Sequence, residues 1–267
     1  MPATRLYFQN HGFLGCDLRW FLIGRDYASS TTKQAETHWY HAPTNTAVLE
    51  HPDGRILFDT SCPRDWRTRW EESGNTEWNP YESVTEEQYL DSSLQRLGLT
   101  PNDFHVVVLS HLHFDHAGNL ALFRNTNAKL ITQRVERDGA FSIPGSFAGA
   151  HLRDDYQGYA FETVEGDVEI ADGVRLLLLP GHTWGTMGMM FDLPNTGTVI
   201  LTSDAVYMGD SYGPPATPDP IAWSSLDWLN SVERVRQLAE KHNATLFFGH
   251  DHEQVTGSRR IAPAYYD

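Results

Sequence analysis

Ser110-His111-Leu112-His113-Phe114-Asp115-His116-Ala117-Gly118 places three imidazoles and a carboxylate within six residues, directly after the apolar run Val106-Val107-Val108-Leu109. Along extended backbone alternate side chains share a face, so His111 and His113 project together, while Asp115 and His116 follow where the chain can turn into a helix. Nitrogen and oxygen donors of this kind bind divalent metals. A catalytic zinc takes three protein ligands and keeps a position for water, so four donors from one segment exceed one ion and point to two. Two cations sharing a water lower its pKa enough to leave hydroxide at neutral pH, and they polarise a carbonyl under attack. Hydrolysis is the chemistry such a set serves. The bland alternative is a polar loop with chance histidines in a chain that has 13 of them.

Three later apolar runs each end in a further donor: Leu179-Pro180-Gly181-His182, Leu201-Thr202-Ser203-Asp204 and Phe248-Gly249-His250. Singly, each reads as a hydrogen-bonded histidine or a turn-forming acid. Jointly and in this order they complete a two-metal set on the rim of a sheet. His252 competes with His250 across Asp251, and the position directly after the strand favours His250. His11, His38, His41, His51, His105, His151 and His242 lack motif support and read as surface or structural residues. Asp59 closes a strand, where it either supports the ligands from behind or fixes a turn.

The elements that must carry these residues follow from apolar patterning. Leu6-Tyr7-Phe8 and Trp20–Gly24 suit short strands, with a turn through Gly12, Gly15 and Asp17. Residues 25–45 read as a surface loop with His38, Trp39, Tyr40 and His41 as aromatic anchors, a pocket lining being the other reading. Ala47–Glu50, Pro52–Arg55 and Ile56–Asp59 read as strand, turn, strand. Residues 63–83, with Trp66, Trp70 and Trp78, form a loop or short helix over the core. Thr85-Glu86-Glu87-Gln88 is a capping box opening a helix through Leu90, Leu94 and Leu97 to Gly98. Strands follow at 106–109, 128–132, 174–179, 187–191, 198–203 and 244–249, and a helix capped near Ser224 carries Trp228, Val232, Val235 and Ala239 on one face. Residues 134–166 lack a clear period and carry Gly139, Gly145, Gly149, Phe141, Phe147, Tyr156, Tyr159 and Phe161, so a substrate-covering insertion or a disordered loop is expected there.

The chain has 267 residues, which suits one domain over 1–267 with a sizeable core. Its net charge of -15, from 35 acids against 20 bases, argues against a phosphate-binding surface and hence against nucleic acid. Cys16 and Cys62 are too few for a disulfide framework, and reduced thiols are the default, with a single bridge left open. The first ten residues lack a signal-peptide pattern, and no run is long enough to span a bilayer. A cytoplasmic protein without membrane association, monomeric or homodimeric, is expected.

His111-Leu112-His113-Phe114-Asp115-His116, followed by His182, Asp204 and His250, resembles the metallo-β-lactamase superfamily from about Thr46 to the C-terminus. The resemblance implies an α/β fold: an αβ/βα four-layer sandwich of two mixed sheets packed face to face with helices outside. It implies that His111, His113 and His182 hold one ion, that Asp115, His116 and His250 hold the other, and that Asp204 bridges them. Two divalent ions per chain, Zn2+ first and Co2+, Fe2+ or Mn2+ next, suit these donors.

The stretches Ser203-Asp204-Ala205-Val206-Tyr207 and Phe247-Phe248-Gly249-His250-Asp251 are similar to those of the quorum-quenching N-acyl homoserine lactonases. In that family a tyrosine matching Tyr207 touches the lactone, and a phenylalanine matching Phe114 borders the pocket. Asp115 would shuttle a proton to the leaving oxygen after hydroxide attack. Two departures stand out. The family's Pro-Gly-His-Ser/Thr-Pro-Gly-His turn reads Pro180-Gly181-His182-Thr183-Trp184-Gly185-Thr186 here, and Asp59-Thr60-Ser61 replaces the usual Asp-Thr-Gly. The function expected is hydrolysis of lactone rings. The alternatives are another dinuclear hydrolase acting on a different lactone, a thioester or a β-lactam, a di-iron oxidoreductase, and a metal-stabilised binding protein.

Overall fold

Alternation of apolar side chains builds two sheets with both faces covered. The computed structural model describes residues 3–23, 27–144 and 149–267. In it β1 (Arg5–Asp17), β2 (Trp39–Glu50), β3 (Arg55–Phe58), β4 (Phe104–Val108), β5 (Lys129–Gln133) and β6 (Phe161–Val164) make one sheet in that spatial order. The second sheet runs β11 (Thr245–Phe248), β10 (Gly197–Ser203), β9 (Met187–Leu193), β8 (Val174–Leu178), β7 (Val168–Ala171). Both are mixed, with β3 to β6 parallel and β10 parallel to β11.

Leu49, Ile56, Phe58, Val108 and Ile131 face Val174, Leu176, Met189, Phe191, Val199 and Leu201 between the sheets. Their sequence neighbours point the other way, as a period of two requires. Val48, Leu57, Val107 and Leu130 pack outward against Leu90, Leu94, Leu120 and Phe123. Leu177, Leu179, Met190 and Ile200 pack against Trp228, Val232 and Val235 of the helix Ser225–His242. Each such side chain contributes about 1.5–3 kcal/mol by leaving water. The result is the helix, sheet, sheet, helix sandwich.

Several local expectations are corrected. The predicted turn at 12–17 is part of β1, which continues through an irregularity between Asn10 and Phe13. Gly12 serves that irregularity: its φ is +92°, and a Cβ there would meet the Ser83 carbonyl oxygen at 2.3 Å. Leu18–Trp20 is a single 3-10 turn, capped by the Asp17 side chain accepting from Arg19 N at 2.9 Å, so the strand expected at 20–24 does not form. Gly24 lies outside the described residues, as do Gly145 and Phe147. The Thr85 capping box closes the 3-10 turn Glu86–Gln88, and the helix itself begins at Leu90. Residues 134–166 carry the helices Arg134–Ser142 and Arg153–Tyr156 and the edge strand β6. The regular elements there are short, which hides their period. Among the described residues no helix is long and apolar enough to cross a membrane.

Ser224 caps the helix Ser225–His242 through its Oγ, which accepts from Asp227 N at 3.2 Å. The start of that helix presses on the loop before His182. Gly181 has φ +134°, and a Cβ there would lie 2.2 Å from Trp228 N. Gly181→Ala is therefore expected to destabilise the metal-free protein by at least about 2 kcal/mol, by steric overlap and an unfavourable backbone conformation together. Denaturant unfolding checks it; an unchanged midpoint would mean that helix and loop separate freely.

Candidate metal centre

Strand ends deliver the donors. β4 runs into 110–116, β8 is followed by His182, β10 ends beside Asp204 and β11 beside His250. The structure brings together His111, His113 and His182; His111, His116 and Asp204; and Asp115, His116 and His250, with the donor atoms of each group within 4.8 Å of one another. All seven side chains are buried. His252 stays outside the cluster, its Nδ1 on the His41 carbonyl at 3.0 Å and its ring against Phe13.

Asp204 stands in the middle. Its Oδ1 lies 3.4 Å from His116 Nε2 and 3.1 Å from His250 Nε2, while its Oδ2 lies 3.4 Å from His182 Nε2 and 3.8 Å from His111 Nε2. Asp115 Oδ2 is 3.5 Å from both His116 Nε2 and His250 Nε2. Gly249 permits this approach, since a Cβ there would sit 2.7 Å from Asp204 Oδ1.

The outer ring nitrogens are turned by fixed acceptors. His116 Nδ1 donates to Asp59 Oδ2 at 2.9 Å, His182 Nδ1 to Asp219 Oδ2 at 2.7 Å, and His250 Nδ1 to the Pro43 carbonyl at 2.9 Å. Each bond leaves Nε2 facing the cluster, the arrangement in which a neighbouring acceptor raises the basicity of a metal-binding imidazole. Asp59 does both things expected of it as alternatives. It adopts φ 64° at the strand end and also accepts from Ser110 N and Ser110 Oγ, each at 2.8 Å. Ser61, standing where the related family has glycine, adopts φ 57°.

Two supporting carboxylates escaped sequence reading. Asp219 sits between Pro218 and Pro220 in a segment with no period, where only its isolation between prolines marks it. Glu136 follows β5 by three residues and accepts from Leu112 N at 2.9 Å and Gly185 N at 3.1 Å, which joins the loops of His113 and His182. His151, read as structural, places its ring 4.3 Å from that of His113 and its Nε2 3.4 Å from Glu136. The missing second histidine of the 180–186 turn is replaced by a buried hydroxyl pair, Thr183 Oγ1 to Thr186 Oγ1 at 2.8 Å.

Tyr207 is 1% exposed and lines the pocket over the cluster together with Phe114, Trp20, Phe21 and Ile221. Its hydroxyl donates to Asp219 Oδ2 at 2.9 Å and lies 2.9 Å from His182 Nδ1. Burial first, then Asp219 and Asp204, hold its pKa well above the usual tyrosine range, so it stays a proton donor. The pocket has a volume of about 120 Å³. Trp20 and Ile221 also line a second cavity of about 930 Å³, whose walls include Tyr27, Trp39, Trp78 and Pro220. The 25–45 segment thus lines a cavity rather than only anchoring a loop.

Three buried polar atoms, His111 Nε2, His116 Nε2 and Asp204 Oδ1, have no hydrogen-bond partner although they face one another. Buried polar atoms are rarely left so, and imidazole and carboxylate groups converging on one volume without satisfying one another fit a cation. The donor set therefore suits metal.

Residues 39–250 match the family model of the metallo-β-lactamase superfamily. The chain belongs to the metallo-β-lactamase superfamily. Relatives that match it over their full length include lactonases. An N-acyl homoserine lactonase of Bacillus thuringiensis is 30% identical over 273 residues, covering 99% of this chain and 100% of the relative. One from Bacillus cereus is 31% identical over 276 residues, with 99% and 100% covered. An N-acyl homoserine lactone hydrolase solved with N-hexanoyl-L-homoserine at its catalytic metal centre superimposes with a TM-score of 0.82 at 28% identity, over 100% of both chains. A mutant of B. thuringiensis AiiA, solved with N-decanoyl-L-homoserine at its active site, gives 0.83 at 27% identity, again over 100% of both.

Electrostatics divide the imidazoles of the cluster. Burial, reinforced by neighbouring imidazoles, holds His111 and His113 well below the usual histidine range. For His116 burial also lowers the pKa, but Asp204, Asp115 and Asp59 outweigh it and hold it well above. Metal-free protein at pH 7 is thus expected to carry a doubly protonated His116 beside neutral His111 and His113, a pattern that imidazole nitrogen-15 NMR resolves. A neutral His116 would mean that its proton has gone to another group of the cluster.

Proposed function

We propose that this chain hydrolyses the ester ring of N-acyl homoserine lactones at a dinuclear metal centre. The observation that carries the reading is the opening of a seven-donor buried cluster into a small pocket that shares Trp20 and Ile221 with a large aromatic cavity. Product-bound relatives of the same fold support it. In the proposal His111, His113 and His182 would hold one ion and Asp115, His116 and His250 the other, with Asp204 shared between the two sets. Zn2+ suits the donors, and Co2+, Fe2+ or Mn2+ are accommodated. When bound, such ions supply a nucleophile from water at neutral pH and polarise the carbonyl under attack.

The chain's own residues do the rest. Phe114, fixed edge-on against Trp70 with centroids 4.7 Å apart, borders the ring at the wall of the site pocket. Tyr207 donates to the developing oxyanion by turning its hydroxyl hydrogen away from Asp219, whose oxygen keeps the His182 Nδ1–H. Asp115 takes the proton of the attacking water and returns it to the leaving ring oxygen. The acyl chain lies along Trp20, Trp39, Trp78 and Ile221. The aromatic residues of 134–166 stand apart from this groove, with Phe141 edge-on to Tyr156 and Tyr159 and Phe161 packed into the outer core, while Gly149 and Ala150 of the same segment line the site pocket.

Metal analysis under saturating conditions is expected to give about two ions per chain, with Asp204→Asn weakening retention of both and His182→Ala mainly one; a single ion would remove Asp204 from its bridging place. Tyr207→Phe should keep both ions and lower turnover by up to about 100- to 1000-fold, the cost of an oxyanion donor. Normal turnover would reduce Tyr207 to packing.

Ring opening, followed by proton release on a panel of acyl homoserine lactones beside a thioester and a β-lactam, tests the substrate. Each added methylene is worth up to about 0.8 kcal/mol until the groove ends. Efficiency should rise with chain length and then level off, and Trp78→Ala, at a ring 58% exposed, should flatten the rise without unfolding the protein. Cleavage of the thioester or β-lactam with no lactone opened would overturn the lactonase reading and leave the dinuclear hydrolase.

A further inference from the structure

We infer that Asp219 is the positioning residue of the centre, holding His182 and Tyr207 through one oxygen and the groove wall through the other. The inference rests on the reading that His182 binds metal. Asp219 is 2% exposed, and its Oδ2 receives both the His182 Nδ1–H at 2.7 Å and the Tyr207 hydroxyl at 2.9 Å. Its Oδ1 accepts from Ile221 N at 2.8 Å, and Ile221 lines both the site pocket and the large cavity.

The segment that carries Asp219 is fixed at both ends. Thr217 N donates to the Ser211 carbonyl at 3.0 Å, Trp223 N to the His182 carbonyl at 3.1 Å, and Ser224 N to the Gly181 carbonyl at 3.0 Å. Pro218 and Pro220 restrict the backbone on either side. Asp219 therefore comes to His182 on a braced support, and the bond sets both the tautomer and the plane of the ring. Asparagine cannot replace it fully. An amide has one acceptor oxygen, so it satisfies either the Ile221 N–H or the His182 and Tyr207 pair, and its NH2 then faces a donor on the other side.

Asp219→Asn and Asp219→Ala are expected to retain one ion as tightly as the wild type and to bind the other about 10- to 100-fold more weakly in chelator competition, the usual effect of removing a ligand's outer partner. Combined with His182→Ala, Asp219→Asn should cause no further loss of metal; combined with His250→Ala it should loosen both ions. These ratios assign the effect to one site, which general destabilisation would not do. With metal saturating, Asp219→Asn should lower kcat, and adding Tyr207→Phe should lower it little further, because both act through one hydroxyl. Unchanged affinity for both ions in both single variants, or a loss that multiplies fully with His182→Ala, would overturn the inference. A wild-type chain that binds no metal would instead overturn the reading beneath it.

Discussion

Gathering five imidazoles and two carboxylates into one buried volume is unfavourable unless every ring is turned and every lone pair has a destination. Much of the architecture answers that constraint. Asp59, at the end of β3, turns His116 and ties down Ser110; Glu136, just past β5, joins the loops of His113 and His182; the Pro43 carbonyl turns His250. The left-handed backbone at Asp59, Ser61 and Ser203 is concentrated at these strand ends. Such conformations are costly for residues other than glycine and persist where surrounding contacts over-determine them.

The donors themselves were legible in the sequence because metal chemistry restricts residue type and because strand ends mark themselves by apolar runs. Each of the seven donors lies in the cluster, and the strands that deliver them lie close to their expected places. The supporting acids were harder to see. Asp219 is one carboxylate among 35 acidic residues, and nothing in Pro218-Asp219-Pro220 says which imidazole it will meet. Its role comes from tertiary placement, 37 positions along the chain from His182.

Misreadings elsewhere share a physical origin. Short elements have too few residues to display a period, so Arg134–Ser142, Arg153–Tyr156 and β6 merge into what resembles a loop. Glycine at position 12 looks like a turn, yet it accommodates a close backbone approach inside a long strand. Aromatic residues mislead in the other direction. Trp66 and Trp70 are core, whereas Trp39 and Trp78, similar in local sequence character, stand exposed around the large cavity. Burial of an indole depends on which neighbours the fold supplies, and sequence spacing alone does not carry that information.

The donors divide between the sheets: His111, His113, Asp115 and His116 follow β4 of the first, while His182, Asp204 and His250 follow β8, β10 and β11 of the second. Neither half of the chain owns a complete set. Tyr40 and Asn45, from β2, reach across to the carbonyls of His250 and Gly249. An ion seated among these donors would act as a rivet through both layers, and the set that includes His250 could not be filled during synthesis until β11 had emerged and found its place beside β10. Loading of that set would then report that the last strand of the second sheet had folded.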